Sequence, residues 1–186
     1  MKTLLRSFLV LVLVFPASQL FADEFFSGHR SVALLDSKGT RYEIGAVEFI
    51  SQSGGLIDYQ LHLDTERFSD HFLSMKELKC LEGAELWCRI PYPYPNPHII
   101  SAADLRWLEH DLLFLFKRNA EFGANFWNGI YYKLRLDQGV LLGQAQAIDL
   151  NELASPPDDL NVAPIGEMAL EQADLEKRWL PTIEIR

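Results

Sequence analysis

Beyond residue 22 the chain has no apolar run longer than the five residues Leu112-Leu113-Phe114-Leu115-Phe116. A helix that crosses a bilayer needs about 20 apolar residues, so no further membrane-spanning helix is expected. Cations are scarce as well. There are 17 basic and 26 acidic residues, and Lys2 and Arg6 fall within the first 22, which leaves −11 on the remainder with histidines neutral. That surface repels phosphate backbones and anionic headgroups, and so speaks against a nucleic-acid partner. Local catalytic signatures are missing too: no Gly-x-Ser-x-Gly elbow, no phosphate-cradling loop ending in Gly-Lys, no Gly-x-Gly-x-x-Gly, no His-Glu-x-x-His and no calcium-loop spacing. No cofactor and no metal are implied, and any active site would have to form from groups that meet only in space.

What the sequence does have begins with a leader. Lys2 and Arg6 open it, Ser7 to Phe15 is almost purely apolar, Pro16 breaks the run, and Leu20-Phe21-Ala22 ends on a small residue. Export with cleavage after Ala22 is expected, and residues 23–186 then form a single soluble periplasmic domain. The first cysteine is Cys80, far from that site, so no lipid anchor on a new N-terminal cysteine is expected. From Asp149 onward there are nine acids and three bases, and residues 149–186 read as an acidic, partly loop-like flank.

Cys80 and Cys88 bracket Leu81 to Trp87, with Glu-Gly-Ala-Glu as the turn. With a three-residue loop at Gly83 to Glu85, residue 82 faces 86, 81 faces 87 and 80 faces 88, which sets the two sulfurs across a hairpin and predicts a structural disulfide. A redox pair would favour a two-residue spacing, whereas seven residues intervene here. Strand patterns also cover Ser31 to Asp36, Thr40 to Ile50 and Leu56 to Leu63, the first two turned by Ser37-Lys38-Gly39. A further hairpin joins Ile130 to Leu136 with Val140 to Ile148 through Asp137-Gln138-Gly139. Between these lies Pro91-Tyr92-Pro93-Tyr94-Pro95-Asn96-Pro97, an extended strap or linker.

After the strap the period changes. Ser101 and Asp104 resemble a capping box, and Leu105, Leu108, Leu112, Leu115 and Phe116 recur at helical spacing, which predicts one amphipathic helix up to Arg118. A last helical patch is expected from Glu167 to Leu180, stopped by Pro181. The fold class that follows is α+β: one antiparallel sheet of about seven to eight strands, open or curved toward a barrel, packed with one main helix.

The strings His71-Phe72-Leu73-Ser74-Met75, Trp87-Cys88-Arg89-Ile90-Pro91-Tyr92-Pro93-Tyr94, Leu108-Glu109-His110-Asp111-Leu112-Leu113-Phe114 and Trp127-Asn128-Gly129-Ile130-Tyr131-Tyr132 together resemble a family of uncharacterised exported bacterial proteins. The resemblance runs from about Leu61 to about Pro164. It implies a periplasmic home and a compact domain, and carries no activity.

Two function classes follow. The first is a non-enzymatic binding module for a small apolar ligand or an envelope protein. The stripe Gly143, Ala145 and Ala147 would let a ligand approach the sheet, while Tyr92, Tyr94, Trp127 and Tyr131 are candidate contact rings that serve equally well as core. The second is a small hydrolytic enzyme. Its candidates are His62 with Asp64 and Asp58 on one strand face, where a carboxylate could orient an imidazole base; the bland alternative is a solvated face with ordinary ion pairs. His110-Asp111 reads as polar decoration on the helix side away from the core. No stable membrane insertion is expected once the leader is removed.

Overall fold

Segments in which buried and exposed residues alternate pair as antiparallel strands in the computed structural model, which describes residues 25–186. The expected leader lies outside the described residues. The first hairpin joins β1 (Gly28–Leu35) to β2 (Arg41–Ser51), with Gly39 at a φ of 80° in the turn. Next come β3 (Leu56–Leu63), β4 (Ser69–Leu73), β5 (Lys76–Glu82), β6 (Leu86–Arg89) and β7 (Ile99–Ser101). One helix, α1 (Arg106–Asp111), precedes β8 (Phe114–Lys117), β9 (Gly129–Asp137), β10 (Val140–Ile148), β11 (Glu171–Gln172) and β12 (Thr182–Ile185). The sheet order is β4-β5-β6-β8-β9-β10-β12-β1-β2-β3-β7, with β11 added to β10.

The sheet is curled. Val47 of β2, Ile57 of β3, Trp87 of β6, Phe114 of β8 and Ile185 of β12 share one buried cluster, which a flat sheet of this width could not bring together. Its ends, β4 and β7, do not pair, so the ladder stays open, and α1 packs between β7 and β9 with Leu108 fully buried. A bulge at Ile44, which has no cross-strand partner between Glu43 and Gly45, sharpens the bend of β2. Gly45 is required there: its φ is 154°, and a Cβ would lie 2.1 Å from the His62 carbonyl oxygen.

The expected α+β class is overturned. The described residues hold twelve strands and one α-helix of six residues, so the fold is antiparallel β. The helix ends at Asp111 because the run Leu112–Phe116 serves two cores at once. Leu113 and Leu115 enter a cluster with Cys80, Cys88 and Tyr131, while Phe114 and Phe116 turn to the opposite cluster with Trp87 and Tyr132. Only an extended backbone sends alternate residues to opposite faces. Ser101 accepts the Asp104 N–H at 3.1 Å, but it lies at the end of β7 and closes a turn, and the helix starts five residues later without a side-chain cap.

The expected helix over Glu167 to Leu180 is also replaced, by single turns at Glu167–Ala169 and Leu175–Lys177. β12 covers β10 only from Leu141 to Gln144, and Glu171 and Gln172 extend to pair with Ala147 and Gln146 beyond it. The acidic stretch is therefore more than a flank, since β12 lies between β10 and β1 inside the sheet.

Cys80 and Cys88 face each other across β5 and β6 and are bonded, with both side chains fully buried. The bond fits an oxidising compartment. Closing a loop this short removes about 2 to 3 kcal/mol of unfolded-state entropy. Thermal melts with and without reductant should show that loss, and Cys80→Ala with Cys88→Ala should melt with the reduced protein in either buffer. Equal midpoints for all of them would mean that the bond braces nothing.

Candidate functional site

Of the sequence-derived acid–base candidates, Asp58 and His62 lie on the outer face of β3 and Asp64 just past its end, and none bonds to another. His62 is exposed, lies opposite Ala46, and its side chain makes no hydrogen bond or ion pair among the described residues. Asp64 turns into the following loop, where Oδ1 accepts the Glu66 N–H at 3.2 Å and Oδ2 accepts the Arg67 Nε–H at 2.9 Å. Asp58 accepts the Gln52 amide at 2.8 Å. These are the ion pairs and turn contacts of a solvated face. Among the described residues no group of three or more His, Cys, Asp or Glu side chains could hold a metal ion.

The small-residue stripe is filled by its neighbours. A Cβ on Gly143 would meet Ile183 Cγ2 at 2.6 Å and Leu134 Cδ2 at 2.9 Å, so the sheet's own inner side chains occupy that approach. Ala145 is buried in the same cluster, and Ala147 packs against it.

The proline strap lies against the protein. Tyr92 packs edge-on against Tyr94, Trp107 and His110, and the Tyr94 hydroxyl donates to the Leu153 carbonyl at 2.8 Å. Tyr131 is buried and donates at 2.5 Å to Glu109 Oε2, whose partner oxygen accepts the Leu134 N–H at 2.6 Å. Glu109 thereby caps the edge of β9 beyond the reach of β8, and burial raises its pKa. His110 is fully buried rather than turned to solvent. Its Nδ1–H donates to the Arg106 carbonyl at 2.6 Å and its Nε2 accepts the Ile165 N–H at 3.2 Å, an assignment that fixes a neutral ring.

Two other places carry features that packing alone does not require. One is the tip of the β4–β5 hairpin. Ser74 and Met75 form a two-residue turn with φ of 49° and 64°, a geometry that normally takes Asn-Gly. The Ser74 hydroxyl accepts the Ala124 N–H at 2.8 Å and so ties this tip to the loop before β9. Within three residues of that bond lie Phe72, Met75, Phe122 and Trp127, exposed by 75%, 88%, 104% and 70%. Of these, Trp127 is among the candidate contact rings and Phe122 belongs to the same aromatic-rich loop, whereas Phe72 and Met75 give no periodic signal.

The other is a cavity of about 220 Å³ lined by Tyr59, Gln60, Leu61, Arg89, His98 and Asp111. The Tyr59 hydroxyl donates to Asp111 Oδ2 at 2.8 Å and accepts the Asn96 amide at 3.0 Å; burial, with the Asp111 charge second, pushes its pKa up. His98 Nε2 stands 3.4 Å from the same Asp111 oxygen. β3, the end of β6, the strap and the end of α1 each supply one part, so residues as far apart as 59 and 111 meet only in the folded chain. Comparison of the chain with family models, with curated proteins and with solved structures returns no match.

Proposed function

We propose that this chain is an exported periplasmic binding module that docks a protein partner at the β4 end of its sheet. The leader pattern and the buried Cys80–Cys88 bond support the compartment. The observation that carries the docking surface is that Phe72, Met75, Phe122 and Trp127, all exposed, lie within three residues of the Ser74–Ala124 contact that ties their two segments. Several large apolar side chains left in water on two joined segments mark a surface that another molecule covers. The partner is a protein that offers an extended apolar segment. β4 ends the hydrogen-bonded path, its outer edge is unpaired among the described residues, and a strand added there would meet Phe72 directly. The non-glycine turn that displays Met75 is strain of the kind kept at functional sites.

The test uses a photo-crosslinking residue at position 122 in cells that export the protein. A cross-link to one other polypeptide is expected, together with at least tenfold weaker binding of that purified partner by Phe72→Ser and by Trp127→Ser. Both variants should melt within about 0.5 kcal/mol of the parent, since neither side chain is packed. A self-cross-link would reassign the surface to a second copy of the chain. Partner binding that is unchanged in both variants would refute the docking surface.

A further inference from the structure

We propose that the cavity between β3, β6, the strap and the end of α1 binds an oxyanion, the carboxylate or phosphate group of a small ligand, through Arg89 and His98. This site is independent of the β4 end. Arg89 lines the cavity, yet its guanidinium makes no hydrogen bond among the described residues, and its Nε is buried without a partner. Burial also lowers its pKa, against a smaller opposing pull from Asp111. A half-buried guanidinium with unspent donors costs free energy, whereas a planar or tetrahedral oxyanion can accept two of its N–H groups at once.

The acid beside it is already engaged. Asp111 accepts the Tyr59 hydroxyl and faces His98, and Tyr59 is itself held by Asn96, so the Arg89 donors are the unused charged donors of the cavity, beside the exposed amide of Gln60. The Asp111 carboxylate opposes an anion, and the hydroxyl and ring it engages answer part of that charge. His98 is placed here by its backbone: its φ is 55°, its N–H donates to Asn96 Oδ1 at 2.8 Å, and its carbonyl accepts the Tyr59 N–H at 3.0 Å. A non-glycine residue fixed in the left-handed region at a cavity wall is strain held where a side chain is presented. A volume of about 220 Å³ admits a phosphate or a short carboxylate group.

Titration calorimetry on the full chain with inorganic phosphate and, separately, with acetate should give saturable binding of at least one. Phosphate alone would identify a phosphate-bearing ligand, and acetate alone a carboxylate. Arg89→Gln should weaken that binding at least tenfold, and His98→Asn, which keeps the left-handed backbone, severalfold. Should Arg89→Gln fail to fold, the Nε–Hε resonance of Arg89 in the parent protein gives a direct readout and should shift with saturation by the bound anion. Absence of saturable binding at tens of millimolar, or an Arg89 resonance that stays fixed while binding occurs, would overturn the proposal.

Discussion

Arg178→Met is expected to destabilise the protein by about 3 kcal/mol. The hairpin turn between β5 and β6 is held by the segment that precedes β12. Glu85 Oε2 accepts the Trp179 N–H at 3.0 Å and Oε1 pairs with Arg178 at 3.3 Å, with both side chains almost completely buried. The Arg178 guanidinium lies 3.6 Å above the Phe116 ring, and Gly83 abuts the Trp179 indole so closely that a Cβ would fall 2.2 Å from it. Methionine fills much of the arginine's volume, so the loss comes from leaving the Glu85 carboxylate in low dielectric without its counter-charge. For a chain of this size, that is a fall in melting temperature of roughly 10 °C. Glu85→Gln combined with Arg178→Met should recover most of it, because neither partner of this pair then leaves the other's charge buried alone. A double mutant no more stable than Arg178→Met alone would place the loss in the ring stacking instead of the ion pair.

Neither Glu85 nor Arg178 stands out in the sequence, and the reason is general to this chain. Contacts set by a local turn were legible: the Cys80–Cys88 register, the bounds of β3 and the β9–β10 hairpin all follow from short-range alternation and turn residues. Contacts made across long separations were not. Leu105, Leu108 and Leu112 do carry the helical period, but whether it continues through Phe116 depends on a second apolar layer, formed by Tyr131, Ile148 and Leu153, that lies 15 to 37 residues beyond Phe116. The same layer takes in His110, which looks like a solvated helix residue until the Ile165 N–H arrives from the far end of the chain to meet its ring.

The polar cavity was hidden for the same reason. His62 and Asp64 attracted notice because they are neighbours in sequence, and local neighbours on a strand face mostly answer one another or the turn beside them, as Asp64 does with Arg67. Tyr59, Arg89, His98 and Asp111 come from four elements, and only Asp111 carried a reading, as half of a polar pair on the helix. A proline-rich segment that returns a histidine to the sheet was the available signal.

Between about pH 6.5 and about pH 4, acidification should cost the protein about 3 kcal/mol of stability through His110. Burial first, with Arg106 adding to it, lowers the His110 pKa from its usual 6.5 to about 4, against the hydrogen bond to the Arg106 carbonyl and the Asp104 charge. Above pH 6.5 the ring is neutral whether the chain is folded or not, and the full stability is present. As the pH falls below that value the unfolded chain takes up a proton that the folded chain refuses, so stability drops until the folded pKa is reached. Glu109 acts in the opposite sense: its raised pKa lets the folded state take up a proton before the unfolded one, which adds stability as the pH falls. The net slope of the parent protein therefore mixes the two groups. The difference between the parent and His110→Gln isolates the histidine, because glutamine can still accept the Ile165 N–H and does not titrate. Chemical denaturation at pH 7.5, 6, 5 and 4 should show the parent losing stability relative to the variant by about one proton's worth across this range, which is roughly 1.4 kcal/mol per pH unit. Parallel curves for the two proteins would mean that the folded chain takes up the His110 proton as readily as the unfolded one, although that proton displaces the Ile165 N–H from Nε2.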